Sequence, residues 1–180
     1  FEITREEMKN DGFRNVDAVI TTRELARMIK DAGVDFLNIK DEDFDRPLGL
    51  SSGAADIFGA TGGVMEAAIR TVYEIITGKE LPFEKLHVQP LVGLQAIKTA
   101  ELKFDDVLDE YSFLKGFTVK VAVTSGLKNA EILLNQIAAG KSEYHFIEVM
   151  GCPGGCISGG GQPRPINNSI RQKRLEAIYR

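Results

Sequence analysis

The sequence predicts an α/β fold in which a mostly parallel sheet is flanked by helices. Residues 117–123 alternate and are rich in β-branched side chains, residues 127–139 carry apolar side chains at helical spacing, and residues 144–150 return to a β-favouring run. Strand, helix and strand within about 34 residues form a βαβ unit, whose two strands should be parallel with a right-handed crossover. A second helix, over residues 64–76, opens out of a glycine-rich turn and ends at Gly78.

Shorter patterns predict the remaining elements. A helix with an N-cap hydroxyl from Thr21 or Thr22 carries apolar side chains at helical spacing and stops at Gly33. The other expected elements are a strand over 16–20, strands over 86–93 and 96–104, and a C-terminal helix over 169–179. Residues 35–50 are expected to form either a loop throughout, or a short strand at 36–39 followed by a loop.

Composition excludes several classes of protein. Of the 180 residues, 43% are hydrophobic and 27% are charged, which rules out disordered and collagen-like chains. No apolar run reaches the roughly 18–20 residues that a membrane-spanning helix needs. The net charge of −4 argues against a nucleic-acid partner, and we interpret the basic cluster Arg171, Lys173 and Arg174 as a solvated helix face.

The first residues indicate a piece of a longer protein. The sequence begins at Phe1 without a methionine, and no pattern of a secretory signal follows. We therefore expect one domain, or one large lobe, of a longer polypeptide. The expected location is the cytoplasm, with the periplasm as the alternative.

The segment that contains both cysteines is expected to carry the chemistry. It follows the last predicted strand, and ligands gather beyond the carboxyl ends of strands in open α/β sheets. Repeated glycine lets a bulky group approach the backbone, and successive free N–H groups favour an anionic guest such as a thiolate-bound iron cluster. The segment reads Met150-Gly151-Cys152-Pro153-Gly154-Gly155-Cys156-Ile157-Ser158-Gly159-Gly160-Gly161-Gln162-Pro163.

Four other interpretations of the cysteine pair exist. Two cysteines four apart can be small buried hydrophobes, or they can close a strained local disulfide. The glycine-rich surroundings favour cluster ligation over both. A thioredoxin-like redox pair needs C-x-x-C, so the spacing is wrong. A tetrahedral zinc site needs four ligands, and His87 and His145 lack the spacing of paired ligands.

Three stretches resemble the catalytic domain of the [FeFe]-hydrogenases, in the order found in that family. The cysteine segment is similar to the last of the family's three signature motifs. The other two stretches are Ile57-Phe58-Gly59-Ala60-Thr61-Gly62-Gly63-Val64-Met65-Glu66-Ala67-Ala68 and Asp17-Ala18-Val19-Ile20-Thr21-Thr22-Arg23-Glu24-Leu25. Together they cover nearly the whole chain. The resemblance implies that residues 1–180 are the C-terminal lobe of an iron-only hydrogenase catalytic domain.

The resemblance also implies a cofactor, the H-cluster. In this family a [4Fe–4S] cubane is linked to a two-iron unit with CO, cyanide and a bridging dithiolate, and four cysteines hold the assembly. By the motif, Cys152 resembles the ligand of the cubane alone, and Cys156 resembles the ligand that bridges the cubane to the two-iron unit. Gly154 and Gly155 resemble the tight turn that lets both sulfurs face one cluster.

Three apolar residues resemble the wall of the two-iron unit: Met150, Phe58 and Val64. Without the resemblance, ordinary core packing would explain them. An apolar wall would keep bulk water from the open iron site and tune its potential through the local dielectric.

Departures from the family pattern limit what this chain can do alone. The first two family motifs, each with a cluster cysteine, are absent, as are the cysteine thought to pass protons and its carboxylates. Gly151 stands where the family often has alanine. The chain would thus supply two of four ligands and should be inactive in isolation.

The complete protein would interconvert H₂ with protons and electrons. Its expected partners are the remaining N-terminal part, in the same chain or in another subunit, and an electron carrier such as ferredoxin or an NAD(P)-linked subunit. One rival function is that of a non-catalytic iron–sulfur assembly or sensory relative of this fold. Another is a metal-free α/β interaction domain.

Overall fold

The computed structural model describes residues 2–43, 45, 49, 53–81 and 97–179. The chain divides into two compact units. The first consists of Phe1–Asp45 with Gly160–Arg164, and the second consists of Arg46–Gly159 with Pro165–Arg180. The predicted strand over 86–93 lies outside the described residues.

The first unit contains one regular helix and a small hairpin. Helix α1 spans Thr22–Asp31 and begins with a capping box, in which Thr21 and Glu24 bond each other's backbone N–H groups. These bonds from Thr21 lower the pKa of Glu24. The helix therefore begins and ends as predicted, with Gly33 in the left-handed region just beyond it. Strands β1 and β2, Lys9–Asn10 and Phe13–Arg14, pair antiparallel, after short 3₁₀ helices at Glu2–Thr4 and Glu6–Met8.

The predicted strand over 16–20 is wrong, because those residues form no strand. Residues 36–39 form turns and a bend, so the alternative without a strand at 36–39 is confirmed. Val19 and Ile20 are both exposed, at 74% and 48%. A β-favouring run becomes a strand only when a neighbouring strand pairs with it, and no described residue does so here.

The sheet of the second unit has the strand order β3-β4-β5. The strands are Ile97–Lys103, Thr118–Ser125 and Phe146–Met150. Strands β4 and β5 pair parallel, as predicted, with Ser125 opposite Met150 at their carboxyl ends. Strands β3 and β4 pair antiparallel, so the described sheet is mixed rather than mostly parallel. Beyond the ends of β3 and β4, the N–H of Phe104 donates to Phe117 and its carbonyl accepts from Gly116. These bonds extend the antiparallel pairing, so the chain returns beside β3 without a crossover connection.

Helices flank this sheet, which confirms the α/β class. They are α2 (Ala54–Ile57), α3 (Gly63–Thr77), α4 (Leu127–Ala138) and α5 (Asn168–Ile178). The glycine stop predicted for α3 is Gly78, at a φ of 67°. Side chains of α3, β3 and β4 share the main core, which contains Met65, Ile69, Ile76, Leu81, Leu102, Phe104, Val121 and Val123. Fully burying each such side chain stabilises the fold by about 1.5–3 kcal/mol.

In the part of the chain that the structure describes, we find no helix with the length and apolarity needed to cross a bilayer.

A buried carboxylate joins β5 to the start of α3. Glu148 is 8% exposed, and its two oxygens accept hydrogen bonds from different backbone groups. Oε1 accepts from the N–H of Gly62 at 2.6 Å, and Oε2 accepts from the N–H of Met65 at 2.7 Å. The negative charge lies at the helix N-terminus, where the helix dipole favours it. Glu148 therefore fixes the glycine turn against the end of the strand that precedes the cysteines.

We expect Glu148→Gln to destabilise the second unit by about 1–3 kcal/mol, because the new amide nitrogen cannot accept and leaves one buried N–H unpaired. Urea unfolding followed by circular dichroism measures the change. Glu110→Gln, at an exposed carboxylate, is the matched control and should stay within about 0.5 kcal/mol of the parent. Equal effects of the two substitutions would contradict the role assigned to Glu148.

Candidate functional site

The cysteine loop, residues 151–159, leaves the carboxyl end of β5. Cys152 and Cys156 are both exposed, and neither forms a disulfide. These observations exclude the local disulfide and the pair of buried hydrophobes. Because β5 pairs parallel with β4, the loop lies where ligands collect in α/β sheets, as predicted. That both sulfurs face one side of the loop stays a prediction.

A tight turn separates the two cysteines. The N–H of Gly155 donates to the carbonyl of Cys152 at 2.9 Å. Gly154 and Gly155 have φ angles of +84° and +90°, in the region that favours glycine. A Cβ on Gly155 would lie 2.7 Å from the nitrogen of Thr61 and 2.8 Å from the carbonyl oxygen of Gly59. No side chain fits there without a backbone shift.

The glycine turn, residues 58–63, packs directly against the cysteine loop. The N–H of Ile157 donates to Gly59 at 3.0 Å, and the N–H of Thr61 donates to the carbonyl of Gly154 at 3.2 Å. The two segments are about ninety residues apart in the chain. Two segments that are distant in sequence therefore meet through their backbones.

The three predicted wall residues differ in exposure. Phe58 is 44% exposed, whereas Val64 and Met150 are partly buried. Met150 is held in place because its carbonyl accepts from the N–H of Gly126 at 2.8 Å. Contact of these side chains with a two-iron unit stays a prediction.

The start of α3 does not offer all its N–H groups to an anionic guest. We expected the glycine turn to direct them at a bound anion, but Glu148 already accepts from Gly62 and Met65. The carboxylate of the protein itself therefore takes the place expected for a ligand at these two groups.

Sequence reasoning missed several residues that hold the cysteine loop. Ser125, buried at the end of β4, accepts a long hydrogen bond of 3.4 Å from the N–H of Gly154. Arg171 Nε donates to Ser158 Oγ at 2.9 Å, and Arg174 donates from its guanidinium to the carbonyl of Ile157 at 2.7 Å. The interpretation of the basic cluster as a solvated face is thus wrong for both arginines, while Lys173 is exposed as expected.

A periodic signal could have found these arginines. Positions 171, 174 and 178 are three and four apart, so they share one face of α5. Leu175 and Ile178 pack with Ala60 and Ile157 in a second apolar cluster. Arg171 and Arg174 lie within one helical turn of these packed side chains, so their guanidinium groups reach the same surface of the cysteine loop.

The end of α5 is also tied to α3. The phenol of Tyr179 donates to the carboxylate of Glu66 at 2.8 Å, and Arg70 forms an ion pair with the same carboxylate. Burial, followed by the bond to Glu66, raises the pKa of Tyr179. The phenol therefore remains a donor at neutral pH. These contacts seat α5 over both the glycine turn and the cysteine loop.

The zinc alternative gains no support from the described histidine. The Nδ1 atom of His145 accepts from the N–H of Lys120 at 3.0 Å, and its ring packs edge-on against Phe117. A nitrogen used in this way is not free to bind a metal. His87 lies outside the described residues.

The donor set fits one half of an iron–sulfur site. Iron–sulfur clusters take cysteine thiolates, and both cysteines here are exposed and unpaired with each other. Among the described residues, no group of three or more candidate metal ligands occurs. Beside the loop, the hydroxyl of Thr61 is buried and has no hydrogen-bond partner within the described part of the chain. This hydroxyl could donate to an anionic guest.

Comparison with known proteins identifies the family. Residues 1–160 match the family described as "Iron only hydrogenase large subunit, C-terminal domain". The chain is 44% identical over 180 residues to the NADP-reducing hydrogenase subunit HndD of Solidesulfovibrio fructosivorans, with 99% of this chain and 28% of that protein covered. It is 47% identical over 163 residues to the periplasmic [Fe] hydrogenase large subunit of Nitratidesulfovibrio vulgaris, with 91% and 36% covered.

A solved structure agrees with these matches. The fold matches [FeFe]-hydrogenase HydA1 from Chlamydomonas reinhardtii with a TM-score of 0.78 and 36% identity, over 99% of this chain and 49% of that one. The chain therefore spans about half or less of the proteins it resembles.

More distant relatives include a protein named for iron–sulfur assembly. The cytosolic iron-sulfur assembly component 3 of Rattus norvegicus is 28% identical over 171 residues, with 92% of this chain and 33% of that protein covered. The hydrogenases are more similar to this chain over comparable lengths. The family match, the identities and the shared fold lead to one assignment: the chain belongs to the iron-only hydrogenase large-subunit family, of which it represents the C-terminal domain.

Proposed function

We propose that residues 1–180 form the C-terminal lobe of an [FeFe]-hydrogenase catalytic domain. The complete protein would interconvert H₂ with two protons and two electrons. One observation carries the proposal: two exposed cysteines without a disulfide lie on a glycine-rich loop at the end of a parallel strand, packed against the glycine turn that precedes α3. The chain that contains this arrangement belongs to the iron-only hydrogenase family.

In this proposal, Cys152 binds the [4Fe–4S] cubane of an H-cluster, and Cys156 joins it to a two-iron unit with CO, cyanide and a bridging dithiolate. When bound, the cofactor would supply the electron relay and the open iron position for H₂. The chain contributes two thiolates, and the turn at Gly154 and Gly155 brings their backbones to one loop. The remaining two cysteine ligands come from the rest of the protein.

The apolar residues have the task of excluding water. Met150, Phe58 and Val64 would line the two-iron side, where their hydrocarbon surfaces lower the local dielectric. Backbone bonds at Gly59 and Gly154 hold the two segments together, which supports a role for Phe58 and Val64 beside the cysteine loop.

The electron partner belongs to the parts of the protein beyond this lobe. One relative is named for reducing NADP, and another is named as periplasmic. We propose an electron carrier of the ferredoxin or NAD(P)-linked class, and a cytoplasmic location for the complete protein.

Infrared spectroscopy tests the function. The complete protein, matured with its cofactor, should show the stretching bands of metal-bound CO and cyanide. A protein that binds iron without these bands would instead be an assembly or sensory relative, the second candidate, which the match to a cytosolic iron-sulfur assembly component supports. A well-folded complete protein that binds no iron would contradict both functions and favour an interaction domain.

We expect the two cysteines to differ when each is replaced in the complete protein. Cys156→Ser should abolish H₂ turnover, because the bridging sulfur couples the relay to the two-iron unit, and serine is far less acidic and a harder donor than cysteine. Cys152→Ser should first lose cubane iron. Gas chromatography of H₂ and iron analysis of the purified variants measure the two effects. Full turnover by the Cys156 variant would overturn its assignment.

Gly155→Ala should lower the bound iron of the complete protein to less than half of the parent's. The added Cβ meets backbone atoms at 2.7–2.9 Å, and a φ of +90° strains any other residue by about 1–3 kcal/mol.

Gly151→Ala is the matched control, because nothing lies within 4 Å of its added Cβ and its φ is ordinary. It should retain the parent's iron content. The role of Gly155 is wrong if the two alanine variants load iron equally.

A further inference from the structure

Helix α5 lies over the cysteine loop and contacts the residues immediately after Cys156. Its apolar side chains, Leu175 and Ile178, cluster with Ile157 and with Ala60 of the glycine turn. Its arginines donate to Ser158 and to the carbonyl of Ile157. The short 3₁₀ helix Cys156–Ser158 is thus held by α5 at two of its three residues.

Arg171 is the closer of the two arginines to the turn between the cysteines. A Cβ placed on Gly154 would lie 3.6 Å from the Arg171 Cδ atom and 3.1 Å from Ser158 Oγ. The hydrogen bond from Nε to Ser158 and a second one, from the guanidinium to Asn168 Oδ1 at 2.9 Å, fix the orientation of the planar group. The side chain is partly buried, so water screens it incompletely.

The charge of Arg171 is not offset locally. Both of its hydrogen-bond acceptors are neutral oxygens, and within the described residues no carboxylate forms a salt bridge with it. A guanidinium stays protonated at every pH at which a protein is folded. A permanent positive charge therefore lies beside the loop that carries both cysteines.

We propose that α5 is a clamp on the cysteine loop and that Arg171 is a positioning residue whose charge raises the reduction potential of the bound cubane. This inference rests on the proposed function, because it requires a cluster on Cys152 and Cys156. Reduction adds one negative charge to the cluster, and a nearby cation stabilises the more negative state. Removing the cation should make the cluster harder to reduce.

The experiment compares three variants of the complete, cofactor-loaded protein. Arg171→Gln removes the charge but keeps a hydrogen-bond donor, and Arg171→Lys keeps the charge but loses the planar group. Lys173→Gln removes an exposed charge from the same helix and is the control. A redox titration followed by electron paramagnetic resonance gives the midpoint potential of the cubane, and iron analysis gives its occupancy.

In Arg171→Gln, we expect the ratio of reduced to oxidised cubane at a fixed potential to fall about threefold to tenfold. A tenfold fall corresponds to 59 mV for a one-electron couple. Arg171→Lys should stay within about twofold of the parent, and Lys173→Gln should not differ from it. A structural role alone would change iron occupancy in both Arg171 variants without this dependence on charge.

The outcomes separate this inference from the proposed function. If the parent protein shows the CO and cyanide bands but Arg171→Gln and Lys173→Gln have equal potentials, the clamp carries no charge effect and the inference is wrong. If Arg171→Gln binds no iron, Arg171→Lys must still load and keep the parent's potential, and its failure to do so would overturn the inference. Absence of the bands in the parent contradicts the proposed function itself.

Discussion

The site depends on a contact between two stretches of backbone that leaves no space for a side chain. Gly155 lies against the nitrogen of Thr61 and the carbonyl of Gly59, and hydrogen bonds join the loop and the turn on both sides of that point. Gly63 is restricted within its own segment, because a Cβ there would lie 1.7 Å from the carbonyl oxygen of Ile57. Gly155 is therefore required by the contact between the two segments, whereas Gly63 is required by the turn itself.

Charged side chains hold this contact from both sides. Glu148 draws the start of α3 to the end of β5 with two bonds to backbone N–H groups. Arg171 and Arg174 reach the loop from α5 through a hydroxyl and a carbonyl. The carboxylate of Glu148 is buried at the N-terminus of α3, where the helix dipole favours a negative charge, whereas the guanidinium groups lie beside the cysteine loop. The distribution of charge thus favours an anionic, thiolate-bound group over a cationic ligand.

Local patterns predicted the parts of the fold that depend on neighbours in sequence. The βαβ unit, the cap at Thr21 and the stop at Gly78 each depend on residues a few positions apart, and all three are present. The direction of β3 and the failure of residues 16–20 to form a strand depend on pairing with distant segments, which a single sequence does not show. For the site, the cysteine loop and its glycines could be located from the motif. Glu148 could not, because its partners are 86 and 83 residues away.

The long separation in sequence of the contacts around the cysteines determines when the site can exist. Thr61 donates to Gly154, and Gly62 donates to Glu148, so these groups of the glycine turn have no acceptor until β5 and the loop after it have been synthesised and docked. Contacts of such high sequence separation form only after the intervening chain has closed, at an entropic cost that local structure must first offset. A nascent chain therefore offers two separate thiols and no shaped site. A cluster held by Cys152 and Cys156 would therefore need the folded contact between the loop and the turn, and not the linear cysteine motif alone.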